Sequence, residues 1–124
     1  MNFSVDKQNA YTVVTLHVEK LDSNISPALK SQFVLLNAEG ARNVIVDLAV
    51  TKYCDSSGLS AILVGNRLAK EANGTFVITG LQNSVMKLIQ ISQLDSVLNI
   101  LPSVAESIDF VKMEEVERDV NGNK

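Results

Sequence analysis

Cysteine and histidine are nearly absent from this sequence of 124 residues, which has one of each, Cys54 and His17. A single cysteine excludes an internal disulfide bond and fits a reducing compartment. A lone histidine without grouped cysteine or acidic partners is a poor zinc ligand, and nothing places it beside a nucleophilic serine. The nucleophile elbow G-x-S-x-G and the phosphate-binding P-loop are also missing. We therefore expect no catalytic residues, no metal site and no enzyme activity.

Basic residues and long apolar runs are scarce as well. Eleven Lys and Arg against 14 Asp and Glu give a net charge of −3, whereas non-specific nucleic-acid binding needs clustered basic residues. No apolar run approaches the roughly 20 residues that a membrane-spanning helix requires. The first ten residues lack the basic start and the apolar run of a signal peptide. We expect a cytoplasmic protein that contacts neither nucleic acid nor membranes directly.

The sequence does contain an alternation of strand and helix patterns. Alternating or β-branched apolar residues indicate strands at 2–6, 11–18, 43–49, 75–80 and 96–101. The first two strands, joined by a turn over 7–10, are expected to form an antiparallel hairpin. The nearly continuous apolar run of the third strand suits a central strand that is covered on both faces.

Four helices follow the hairpin and the later strands. They are indicated at about 26–40, 57–73, 83–92 and from 103 onward. Ser26 and Pro27 resemble an N-cap and a first helical residue, and Gly40 is a natural stop. Ser103 and Glu106 have the spacing of a capping box. The order β-β-α-β-α-β-α-β-α predicts an α/β domain with a mixed sheet of about five strands and about four helices.

The domain is expected to span residues 1–112. Residues 113–124 form a charged C-terminal extension that either ends the last helix or is disordered. Its charged stretch from Glu114 to Asp119 is expected to be solvated. No linker or internal repeat indicates a second domain.

An unusual group of polar residues, DSSG at 55–58, separates the central strand from the second helix. Asp55, Ser56 and Ser57 are all good capping residues, and a helix start needs only one of them. A serine at a helix N-terminus is also accessible to a kinase, and the helix tolerates the phosphate there. A partner docked over the same place would meet added negative charge. The group therefore fits either a plain cap or a phosphorylation switch.

The same group, with its surroundings, resembles the STAS family and, more narrowly, the bacterial anti-sigma-factor antagonists. Those proteins carry D-S-S/T-G-L-G at this place, and here residues 55–60 read DSSGLS. The resemblance covers roughly residues 3–112 and implies a single STAS-like domain. Three departures are Ser60 for the family's final glycine, Glu19-Lys20 where a glycine is common, and Asn73-Gly74 for a Gly-Gly pair.

The resemblance also assigns residue roles. It implies that Ser56, the first serine of the motif, is phosphorylated by a partner kinase. It implies that the surroundings of the phosphosite and the partner contacts come from Asp22, Asp55, Ser57, Gly58 and Leu59. Ser57 is expected to be a helix cap or a first-turn hydroxyl rather than the acceptor.

For function, the resemblance implies a partner-switching cycle. The unmodified protein binds an anti-sigma factor, which is also a serine kinase of the GHKL class, and a sigma factor is released. The kinase then phosphorylates Ser56, and a phosphatase reverses the modification. ATP and Mg²⁺ belong to the kinase, so this chain needs no cofactor, and it is expected to be a monomer.

Two other functions remain open at this point. A fixed STAS adaptor, for example in a lipid-trafficking transporter complex, needs an apolar docking surface and no phosphate cycle. A small-ligand or nucleotide sensor needs a pocket. The intact DSSGL motif favours the switch, because an adaptor has no need of the acceptor serine.

Overall fold

The structure, a computed structural model, describes residues 2–122, with only the backbone for 121 and 122. Its strands are β1 (Phe3–Lys7), β2 (Thr12–Leu16), β3 (Lys20–Leu21), β4 (Val44–Asp47), β5 (Tyr53–Cys54), β6 (Phe76–Thr79) and β7 (Asn99–Leu101). Its helices are α1 (Ser26–Ala38), α2 (Ser56–Glu71), α3 (Asn83–Ile91) and α4 (Val104–Gly122). Met1 of the expected domain and residues 123 and 124 of the expected extension lie outside the described residues.

The main sheet has five strands in the order β1-β2-β4-β6-β7. β1 runs antiparallel to β2, and the other neighbours are parallel, so the sheet is mixed. β4 lies in the middle, as its apolar run predicted. The α/β class, the hairpin, the four helices and the five-stranded mixed sheet are all confirmed.

A second, two-stranded sheet was not predicted. In it β3 pairs in parallel with β5, Lys20 opposite Tyr53 and Leu21 opposite Cys54. Two-residue strands are too short to show a periodic pattern, so sequence alone gives no signal for them. This pair fixes the chain immediately before Asp22 and immediately before Asp55, which places the two aspartates at the same end of the small sheet.

The two faces of the main sheet are covered unequally. One face packs under α1, α2 and α3 in a core that includes Leu29, Phe33, Ile62 and Ile89. The other face is covered by α4, through a smaller cluster of Val13, Ile45, Val77 and Val111. The helix that ends the chain therefore has one side on the sheet and the other side in solvent.

The first helix differs from its prediction at its start. α1 begins at Ser26 itself, after Ile25, so the assignment of Ser26 as the N-cap was wrong. The Ser26 hydroxyl instead donates to the Asp22 carbonyl oxygen at 2.7 Å. The end is as predicted, because Gly40 has φ +90° and Ala41 N–H closes the helix on the Leu36 carbonyl. The last predicted strand is also shorter than expected, since β7 begins only at residue 99.

The C-terminal extension continues α4 through Gly122, and part of it packs against the sheet. Glu115 accepts hydrogen bonds from Arg42 at 2.6 Å, Asn43 at 2.7 Å and Arg118 at 2.8 Å. Arg118 also donates to Thr75 Oγ1 and to Asn43 Oδ1. Partial burial raises the pKa of the Glu115 carboxyl, but these hydrogen bonds outweigh it and bring the pKa to about 2. The prediction that this stretch is solvated was wrong for Glu115.

Candidate functional site

Asp55 caps the second helix. Its backbone is extended, and its Oδ1 accepts from the Gly58 N–H at 3.0 Å and from the Ser57 hydroxyl at 2.6 Å. These bonds, the one from Ser57 first, hold the pKa of the Asp55 carboxyl below its usual range. The sequence left three residues as possible caps, and the structure assigns the cap to the aspartate. Both serines are thereby left for other roles.

The hydroxyl of Ser57 is already in use. It is half-buried, donates to Asp55 and lies 3.2 Å from the Ser26 hydroxyl, which donates to the Asp22 carbonyl. A hydroxyl carries one proton, so the serine pair can share a hydrogen bond only if one of them gives up its shorter contact. The first turns of α1 and α2 therefore lie close together at two serines, each of which donates its proton to another group.

Ser56 differs from Ser57 in every one of these respects. It is the first residue of α2, it is exposed, and no side-chain hydrogen bond to its hydroxyl is present among the described residues. The neighbouring backbone N–H groups at this helix start form a partly positive environment that tolerates a phosphate. Of the two serines, Ser56 is the more exposed, and its hydroxyl is the one that is not engaged in a side-chain hydrogen bond within the described residues.

Gly58 and Leu59 hold the helix start in place. Gly58 is buried, and a Cβ there would lie 2.4 Å from the Leu21 carbonyl oxygen and 2.8 Å from Cys54 Sγ. Only glycine lets α2 approach the β3–β5 pair so closely. Leu59 is 8% exposed and belongs to the core. Gly58 and the side chain of Leu59 therefore lie beneath the site and not on its surface.

Asp22 lies beside the site from the other strand of the small sheet. Its Oδ1 accepts from the Asn24 N–H at 3.0 Å, and the Asp55 N–H donates to the carbonyl of the preceding residue, Leu21, at 3.3 Å. The structure therefore brings the Asp22 and Asp55 segments together. Two carboxylates at one end of the β3–β5 pair make this patch acidic before any modification.

Cys54 is adjacent to the motif but is not a nucleophile. The thiol is buried, and burial, with a smaller contribution from the Asp55 carboxylate, raises its pKa to about 12. A thiol with so high a pKa stays protonated at neutral pH and reacts slowly. Its place is in the core, where it packs as a small apolar group.

Two exposed apolar side chains near the motif were not singled out by sequence. Val50 and Tyr53 are 45% and 52% exposed in the segment that leads from β4 to Ser56. The first turn of α3 holds this segment, since Ser84 donates to the Lys52 carbonyl and Gln82 donates to the Ala49 carbonyl. The same connection contains the buried Leu48, so the sequence gives no local signal that separates exposed from buried apolar residues here. The two exposed side chains provide an apolar surface that a docked protein can cover.

His17 lies elsewhere and contacts Ser4 of β1, with Nε2 2.9 Å from the hydroxyl oxygen. Within residues 2–122 no three His, Cys, Asp or Glu side chains are grouped as metal ligands. In the same part of the chain, no helix is both long and apolar enough to cross a membrane.

Comparison with known proteins agrees with this architecture. A family model described as "Mlab, STAS domain" matches residues 3–102. The anti-sigma-B factor antagonist of Bacillus subtilis (strain 168) is 27% identical over 101 residues, which cover 81% of this chain and 92% of that protein.

Solved structures resemble the fold closely. An anti-sigma factor antagonist from Mycobacterium paratuberculosis superposes with a TM-score of 0.79 at 18% identity, over 89% of this chain and 92% of that chain. The Bacillus cell fate determinant SpoIIAA in its phosphorylated form superposes with a TM-score of 0.70 at 20% identity, over 88% and 98% of the two chains. At these identities the structural likeness establishes the fold.

Proposed function

This chain belongs to the STAS-domain family, and from that premise we propose that it is an anti-sigma-factor antagonist that phosphorylation of Ser56 switches off. In the unmodified state it binds an anti-sigma factor and so releases a sigma factor. The partner is also the kinase, of the GHKL class, and supplies ATP and Mg²⁺. A phosphatase returns the chain to its binding form. The chain itself acts as a regulator and not as an enzyme.

One observation carries the proposal, the difference between the two serines of the motif. The Ser57 hydroxyl donates to the capping carboxylate of Asp55, whereas the Ser56 hydroxyl is exposed at the first position of the helix. A kinase needs an acceptor oxygen that is free to attack and reachable from solvent. Further support comes from the relatives, which are named anti-sigma-factor antagonists; one of them, SpoIIAA, has both an unphosphorylated and a phosphorylated structure.

The electrostatics explain how a phosphate would act as a switch. It would add about −1.5 to −2 charge at neutral pH, next to the carboxylates of Asp22 and Asp55. Inside the chain the helix start compensates part of this charge, so the fold is retained. A partner that covers Val50 and Tyr53 would have to desolvate the phosphate at the edge of an apolar contact, which costs binding free energy.

The test is intact-protein mass spectrometry with fragmentation on protein expressed in its native host, under normal and stress conditions. We expect a single phosphate on Ser56, its loss in Ser56→Ala and its retention in the matched control Ser57→Ala. A phosphate that maps to Ser57 would overturn the residue assignment. No phosphate under any condition would overturn the switch.

A fixed adaptor subunit of another complex, such as a lipid-trafficking transporter, is the second candidate. The observation that favours it is the description of the matching family model, "Mlab, STAS domain", which names no sigma-factor regulator. An adaptor would stay unmodified and would co-purify in constant ratio with its complex, whatever the growth condition. A partner whose association falls as phosphate rises would instead favour the switch.

A further inference from the structure

The solvent-facing side of α4 carries an apolar stripe far from the core. Met113, Val116 and Val120 are 64%, 62% and 59% exposed. Their spacing of three and four residues places them on one face of the helix, over about two turns. The whole of α4 lies beyond the residues that match the family model, so this stripe is not part of the matched pattern.

The opposite side of the same helix is firmly held. Val111 packs into the smaller core cluster, and Glu115 and Arg118 bond to residues at the amino-terminal ends of β4 and β6. If α4 were loosely held, it could rotate and turn its exposed apolar residues inward. The packing of Val111 and the hydrogen bonds of Glu115 and Arg118 prevent this rotation. The three side chains of the stripe therefore remain on the solvent-facing side of α4.

The charges around the stripe define what could cover it. The exposed charged side chains of α4, within the residues whose side chains are described, are acidic at four positions and basic at one. They are Glu106, Asp109, Glu117 and Asp119, with Lys112 as the basic residue. An apolar stripe bordered mainly by carboxylates is complementary to an apolar face bordered by lysine and arginine.

A second copy of this chain fits the stripe poorly. Two α4 helices face to face would bring eight exposed carboxylates against two lysines, since each copy has four and one. A different protein, with lysine and arginine at the border of its apolar face, would pair with these carboxylates instead of repelling them.

We propose that the stripe formed by Met113, Val116 and Val120 is a docking site for an amphipathic helix of another protein, whose apolar face is bordered by lysine and arginine. The partner helix lies along α4 and places its apolar residues at spacings of three and four against the stripe. The site is on the sheet face opposite α1, α2 and α3, so it does not depend on the switch at Ser56.

The test uses fluorescence anisotropy of the full chain with a labelled synthetic peptide of three heptads, with Leu at positions a and d and Lys at e and g. We expect saturable binding that weakens with rising salt and is at least tenfold weaker for the same peptide with Glu at e and g. The double variant Val116→Ser, Val120→Ser should weaken binding at least tenfold, because it removes apolar contact area.

The matched control is Val34→Ser, Leu35→Ser on α1, whose side chains are 54% and 50% exposed. It should bind the Lys peptide like the wild type, and Ser56→Asp should do so too, which separates this site from the switch. All variants replace exposed residues, and urea denaturation checks that they stay folded. The proposal would be overturned if both double variants lost affinity for the Lys peptide equally. It would also be overturned if the wild type bound the Lys and Glu peptides equally well, or did not bind the Lys peptide at all. Light scattering that finds a dimer which Val116→Ser, Val120→Ser dissociates would overturn it too, because a second copy would then be the occupant.

Discussion

Replacing Gly58 by alanine should disturb the junction that carries Ser56, the proposed phosphorylation site. The new Cβ would lie 2.4 Å from the Leu21 carbonyl oxygen and 2.8 Å from Cys54 Sγ, whereas ordinary contacts begin at 3.4 Å. The oxygen belongs to backbone that is paired with β5 and cannot swing aside as a side chain can. Relief therefore requires the start of α2, with Ser56, to move outward by roughly 1 Å, the shortfall at the Leu21 oxygen.

The size of the effect follows from two opposing contributions. Overpacking of this kind costs about 1–3 kcal/mol. Because the Leu21 oxygen is backbone and cannot move aside, the cost lies in the upper part of that range, about 2–3 kcal/mol. Alanine recovers up to about 1 kcal/mol of helix propensity relative to glycine. The net loss in free energy of unfolding is then about 1–2 kcal/mol, which lowers Tm by roughly 3–10 °C for a chain of this length. Urea denaturation followed by circular dichroism measures the first quantity, and a thermal scan measures the second.

Gly65 provides a matched control in the same helix. A Cβ there would lie 2.5 Å from the Phe76 ring and 2.9 Å from the Phe33 ring, so Gly65→Ala is also overpacked. These neighbours are side chains, and Gly65 itself lies about two helical turns beyond Ser56 and Ser57. Both variants should lose stability, but only Gly58→Ala should also lower the phosphate occupancy of Ser56 in the native host. A Gly58→Ala protein as stable as the wild type would refute the steric argument, and equal occupancy in both variants would refute the link to the switch.

Three further predictions concern other parts of the molecule. The depressed pKa of Glu115, about 2 against an ordinary 4.5, contributes stability above pH 4.5 that is lost as pH falls toward 2. After allowance for solvent screening this is about 1–2 kcal/mol. Most of it should be lost between pH 6 and pH 3, so the stability advantage of the wild type over Glu115→Gln should fall by about 1 kcal/mol or more over that range in urea titrations. An unchanged difference would contradict this prediction. Cys54, with its pKa raised to about 12, should resist iodoacetamide in the folded protein near pH 8 and react once denaturant is added; rapid labelling of the native chain would show that the thiol is accessible. Gln93 has φ +61°, so Gln93→Gly should raise the free energy of unfolding by up to about 1 kcal/mol, measured in thermal scans. The gain should be larger than for Asn73→Gly, because asparagine tolerates its φ of +58° better than glutamine does. A lower Tm for Gln93→Gly would refute the backbone strain at this residue.

Features that depend on local periodicity and on local backbone preference could be predicted from the amino-acid sequence. Alternating apolar residues indicated the β1–β2 hairpin, and the continuous apolar run of β4 indicated its central place. The stop at Gly40 was also readable, because only the geometry of a few adjacent residues is involved. The group at 55–58 stood out for the same reason, as more capping residues than one helix start can use.

Contacts between residues far apart in the chain could not be predicted from sequence and are seen only in the folded structure. The two-residue pairing of β3 with β5 leaves no periodic signal, yet it brings Asp22 and Asp55 to one place and makes a glycine necessary at position 58. The choice of Asp55 as the cap, which leaves Ser56 free, depends on competition for one set of N–H and hydroxyl donors.

The same holds for the end of the chain. The charged stretch from Glu114 to Asp119 was predicted to be solvated, because charged residues are usually exposed. Glu115 and Arg118 depart from this prediction only because Arg42, Asn43 and Thr75, more than 40 residues away, form the partners they need. Local sequence limits what each segment can form, and the meeting of distant segments decides which side chains are buried, bonded or free to act.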